Sequence, residues 1–127
     1  MLDTDTVSFA MRDHGGVGER IVEHDSSEVC ISSITLAELL YGAGRRRSAR
    51  IEGLIFDFIS RVAVMPFDDA CAVQYARIAN DLATRGLPIG VLDTMIAAHA
   101  VTLDLTLVTN NTRHFTRVQN LRVENWV

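Results

Sequence analysis

IGVLDTMIAAHAVTLDLTLVTNN, residues 89–111, holds a buried helix and the strand it feeds. Within it Met95-Ile96-Ala97-Ala98 is apolar on every side, the mark of a helix with no solvent face, and the reading predicts a helix over Leu92 to Thr102 whose start is also internal. After it, the β-branched and apolar run Leu105 to Thr109 has strand character. A helix covered on all sides that leads into a short apolar strand belongs to an α/β fold.

The same alternation extends in both directions. Met1 to Thr4, Val29 to Ser32 and Val62 to Pro66 read as further strands, with a weaker candidate at Leu121 to Glu124. Helical patterns lie between them at Thr6 to Asp13, Val17 to His24, Ile34 to Tyr41, Ala49 to Ser60 and Asp69 to Arg85. Ser32 or Ser33 is placed to cap the third of these, which Gly42 and Gly44 are expected to end. Asp68 and Asp69 open the helix after Pro66, and Gly86 with Pro88 closes it. The prediction is a three-layer α/β/α domain around a parallel sheet of four to five strands, spanning 1–127 as one unit.

Composition narrows the function. All 12 basic residues are Arg, against 16 acidic ones, for a net charge of −4. An acidic total argues against adhesion to DNA or membrane through bulk charge. Cys30 and Cys71 sit in apolar surroundings without C-x-x-C spacing, as core thiols in a reducing compartment do. No basic-then-apolar leader or membrane-length apolar run is present, so a cytoplasmic protein is expected.

Three acids stand among apolar neighbours: Asp3 after Met-Leu, Glu38 inside SITLAELLYG, and Asp93 inside the opening stretch. Buried carboxylates need a partner, and the chain has no Lys. A bound divalent cation is one solution, because hard cations take oxygen ligands. In parallel α/β sheets ligands collect beyond the carboxyl ends of the strands, which is where Asp3, the start of the Glu38 helix and Thr109 to Asn111 fall. Each acid also has a plainer explanation. Asp3 is a candidate helix N-cap, although Asp5 or Thr6 would serve, Glu38 would be ordinary on an exposed helix face, and Asp93 suits a helix first turn.

His99 reads as a core or rim histidine, and His14, His24 and His114 have no zinc-ligand spacing. Arg45-Arg46-Arg47 with Arg50 is the only charge run: a solvated helix end, or a set of forked phosphate contacts to RNA. Asp3-Thr4-Asp5-Thr6-Val7 fits the D-x-D-x-[TV] opening of haloacid-dehalogenase-type phosphatases. That chemistry wants a downstream Lys to hold the phosphoryl group, and the missing Lys argues against it and against a receiver domain.

Taken together, MLDTDTVSF, SSITLAELLYG, LPIGVLDTMIAAHA and LVTNNTRHF followed by LRVENW resemble, over the full length, the PIN-domain ribonucleases, specifically VapC-type toxins of toxin–antitoxin pairs. The resemblance implies a Mg²⁺ (or Mn²⁺) site with Asp3 and Asp93 as ligands and Glu38 completing the shell directly or through water. Its fourth, often acidic, position falls at Asn111, a neutral amide, and Asp5 stands where many relatives have Asn or Ser. The implied activity is endonucleolytic cleavage of single-stranded or loop RNA; a PIN-like RNA-binding module without turnover is the alternative. A small antitoxin partner that plugs the acidic cleft with a basic side chain, and a homodimer, are implied as well.

Overall fold

The computed structural model describes all 127 residues. Its helices are α1 (Thr4–Met11), α2 (Val17–Val22), α3 (Ser33–Arg45), α4 (Ala49–Ile59), α5 (Asp69–Thr84), α6 (Val91–Thr102) and α7 (Thr112–Phe115). Its strands are β1 (Cys30–Ser32), β2 (Ala63–Met65), β3 (Leu107–Val108) and β4 (Val123–Glu124). β1 pairs with β2 and β3 with β4, both in parallel. Leu2 joins the two pairs through parallel bridges to Ile31 and Val108. The layer therefore runs β2, β1, Leu2, β3, β4.

The predicted first strand, Met1 to Thr4, contracts to that single bridge. Asp3 has extended backbone, and its carboxylate accepts from the Thr6 N–H as the N-cap of α1, so the chain is already helical at Thr4.

Alternate strand residues enter different cores, as a pleated strand requires. Leu2, Ile31 and Val108 join Val7 of α1, Leu39 of α3 and Ile55 of α4 on one face. Met1 and Leu107 join Leu82 of α5, Ile96 of α6 and Phe115 of α7 on the other. That is the expected three-layer arrangement.

Two helix boundaries depart from expectation. α3 runs through Gly42 and Gly44 to Arg45, because neither glycine takes a positive φ; the left-handed residue that stops the helix is Arg47, at φ 50°. The start of α6 is not internal. Val91 and Leu92 are 60% and 46% exposed, and burial begins only at Thr94. Gly90, at φ 96°, turns the chain from the buried Ile89 into this helix. The short helix α7 and a 3-10 turn at Ser26–Glu28 have no counterpart in the sequence reading. Both cysteines are free thiols, Cys71 buried and Cys30 half-buried.

Candidate active site

The four segments expected to converge do so at the carboxyl edge of the sheet. Asp3 leaves the central bridge, Ser32 at the end of β1 caps α3 through its hydroxyl and so sets the first turns that carry Glu38, and Asp93 occupies the first turn of α6. Asn111 follows β3 and stands at the start of α7.

Asp3 is only 4% exposed. One of its oxygens accepts from the Thr6 N–H at 2.8 Å and the other from the Thr109 hydroxyl. Both the capping role and a place in the acidic cluster therefore belong to one side chain. Burial pushes the Asp3 carboxyl above the usual range, against the pull of these hydrogen bonds. Glu38 is half-buried, and its Oε1 accepts from the Thr4 hydroxyl at 2.7 Å.

Asp93 is also half-buried, and its pKa is pushed up to about 6, first by desolvation and then by the charges of Glu38, Asp3 and Asp5 in that order. Those interactions place four carboxylates in one electrostatic neighbourhood. None of the four is ion-paired: the ion pairs are Arg20–Glu23, Arg61–Asp57, Arg85–Asp81 and Arg122–Asp104, all elsewhere.

Asn111 is half-buried, and its side-chain amide meets His114 Nδ1 at 3.0 Å while its backbone N–H donates to the Thr109 hydroxyl at 2.9 Å. Thr109 thus donates to Asp3 and accepts from Asn111, fixing one candidate against the other. Sequence reasoning named Thr109 only as part of a segment and missed this role, as it missed Thr4. The available signal was a hydroxyl residue at the carboxyl end of a buried strand.

His99 is a satisfied core histidine, with Nδ1 2.8 Å from the Ser32 hydroxyl and its ring edge-on to Phe67. His14 and His24 lie against Phe9 and Trp126, away from the acids.

The donor set can be tested against a divalent cation. No three His, Cys, Asp or Glu side chains are gathered closely enough to hold an ion outright. Asp3 and Glu38 already accept hydrogen bonds from Thr6, Thr109 and Thr4. The chemistry nevertheless suits Mg²⁺, which keeps several waters and is bound through one or two carboxylates plus substrate phosphates. Uncompensated hard-oxygen donors around Asp93 fit a hydrated ion of that kind.

A parallel α/β/α domain with acids gathered at the carboxyl ends of its strands is the architecture of a ribonuclease domain. The chain belongs to the PIN-domain family, whose profile matches residues 1–121, and within it to the VapC ribonucleases of toxin–antitoxin systems. It is 40% identical to the tRNA(fMet)-specific endonuclease VapC of Salmonella typhimurium over 99% of this chain and 96% of that protein. With Ribonuclease VapC2 of Rickettsia felis it shares 36% identity over 99% and 96%. The structure of VapBC2 from Rickettsia felis bound to a promoter DNA fragment matches with a TM-score of 0.92, at 35% identity, over 100% of this chain and 98% of that one. The DNA-bound VapBC of Salmonella typhimurium also matches at 0.92, with 40% identity over 100% and 97%.

Proposed function

We propose that this chain is a Mg²⁺-dependent endoribonuclease that hydrolyses phosphodiester bonds in single-stranded or loop RNA, as the cytoplasmic toxin of a toxin–antitoxin pair. The observation that carries the reading is the gathering of Glu38, Asp3 and Asp5 charge around Asp93 with no cationic partner. Asp3 and Asp93 would hold the ion, and Glu38 would hold it directly or through water. Bound there, it would polarise the phosphodiester and supply hydroxide from water near neutral pH. Thr109 and Thr6 fix the Asp3 carboxylate, and Thr4 aims Glu38. Accessible, unstacked bases make loops the natural target. A tRNA is the first substrate to assay, because the Salmonella relative is named for tRNA(fMet).

Asp3→Asn, Glu38→Gln and Asp93→Asn should each lower cleavage about a hundredfold or more while the fold is kept. RNA cleavage assayed over a Mg²⁺ and Mn²⁺ titration is the check. Full activity in Asp93→Asn at the wild-type metal optimum would remove the reading and leave an RNA-binding module.

Control by an antitoxin fits the surface beside the acids. A cleft of about 590 Å³ is lined by Asp5 and Glu38 at one end and by Leu39, Ile51 and Ile55 along its floor. Through Met11 and Leu54 it adjoins a second hollow of about 330 Å³ at Ile21, Val22 and Phe58. An amphipathic antitoxin segment would lie across these apolar residues and deliver a basic side chain to the acids. The exposed Val73 of α5 and Val91 and Leu92 of α6 supply apolar surface for a homodimer. Expressed alone, the chain should arrest growth and run as a dimer by light scattering; expressed with the small protein of the adjacent reading frame, it should co-purify with it. A harmless monomer without such a partner would end the toxin assignment.

A further inference from the structure

We propose that Arg46 and Arg50 bind backbone phosphates of the RNA on one side of the scissile bond, with Gly42 as the open floor between them and the acids. The inference rests on the ribonuclease reading and adds a path for the substrate. Glu38, Gly42 and Arg46 recur every four residues along α3, and all three line the cleft that begins at Asp5. At 1.5 Å per residue, Arg46 stands about 12 Å along the helix axis from Glu38. Arg50 faces the same cleft from the first turn of α4.

Their place in the cleft sets these two residues apart from the rest of the arginine run. Arg46 and Arg50 are exposed and, like Arg45 and Arg47, take part in none of the four ion pairs, so no acidic side chain of this chain neutralises them. A cation in the first turn of a helix opposes the helix dipole, so Arg50 gains nothing from α4 itself. A Cβ built on Gly42 meets nothing within 4 Å, so packing inside this chain does not call for a glycine that weakens the helix. Unlike Gly44, which is equally open, Gly42 lines the cleft, where a Cβ would stand in the path of the RNA.

The antitoxin segment and the RNA would occupy this cleft in turn, and the charge order suits the RNA. A polyanion needs positive charge at both ends of the cleft: a cation held by the acids for the scissile phosphate, and guanidinium forks for a phosphate farther along. Arg45 and Arg47 belong to the same run without lining the cleft, so Arg45 provides a control of equal charge.

The test compares Arg46→Gln, Arg50→Gln, the double variant and Arg45→Gln. Cleavage kinetics are measured on a labelled unstructured RNA from 50 to 300 mM KCl, with Mg²⁺ present. The double variant should raise KM about tenfold, with kcat within about twofold, and flatten the slope of log KM against log salt by about 1.4, two phosphate contacts at about 0.7 each for a single strand. Arg45→Gln should leave both quantities at wild type. Gly42→Ala should raise Tm and yet raise KM, a pairing that a purely structural glycine does not produce. In an Asp93→Asn background without Mg²⁺, fluorescence anisotropy should show the same loss of RNA affinity on removing the two arginines, which makes the inference testable even if the chain proves not to cleave. Equal KM and salt slope in the double variant and Arg45→Gln, or unchanged RNA affinity in the Asp93→Asn background, would overturn it.

Discussion

At the scale of single residues, Asp3 shows how a cap and a candidate site acid coincide. Its two oxygens are held by Thr6 and Thr109, so the group that starts α1 is fixed in one orientation by the chain's own hydrogen bonds. Thr109 carries more than its size implies, since its buried hydroxyl serves Asp3 and the Asn111 N–H together. Thr109→Val keeps the shape and removes both bonds, leaving a buried carboxylate oxygen and an amide without partners. That should cost about 1–3 kcal/mol, read as a lower urea midpoint at unchanged m-value, and RNA cleavage should fall because Asp3 is released from its orientation. The acids themselves were legible in the sequence because a carboxylate between apolar residues is anomalous. The threonines were not, because a Thr in a strand is ordinary and only the fold reveals what its hydroxyl touches.

At the scale of elements, periodicity located the helices well and their ends less well. α3 was expected to stop at Gly42, yet a glycine ends a helix only when it takes the left-handed conformation, and here Arg47 does so instead. The single bridge at Leu2 and the short α7 escaped for a related reason: one paired residue or one helical turn carries no period. The interior glycines of α3 also allow a prediction that separates them. Gly44 is exposed, outside the cleft, and a Cβ there meets nothing. Gly44→Ala should therefore stabilise the protein by about 0.5–1 kcal/mol, the helix-propensity difference. Thermal unfolding checks this, and RNA cleavage should be unaffected, in contrast to Gly42→Ala.

At the scale of the whole molecule, the buried His99 and the half-buried Asp93 oppose each other as pH falls. Burial lowers the pKa of His99 from 6.5, against the attraction of Asp68; its other contacts are the Ser32 hydroxyl and the Phe67 ring. The unfolded chain therefore binds a proton near pH 6.5 that the native protein refuses, so His99 costs stability progressively as pH drops below that value. Asp93 has the opposite sign. Its folded pKa of about 6 lies above the ordinary 3.8, so the native protein takes up the proton first and gains stability as pH falls from about 6 toward 3.8. Asp3, also raised by burial, adds to that gain. In metal-free buffer the two effects overlap, and the wild-type stability should be comparatively flat between pH 6.5 and 4.5. His99→Gln, which keeps a partner for Ser32, should unmask a rise in stability on acidification, and Asp93→Asn should unmask a fall while being more stable than wild type at pH 7.5. Urea midpoints with EDTA across this range provide the measurement. Parallel profiles for the two variants would show that neither group sets the pH dependence, whereas a gain at pH 7.5 in Asp93→Asn that vanishes on adding Mg²⁺ would identify the repulsion among the acids as the strain that the ion relieves.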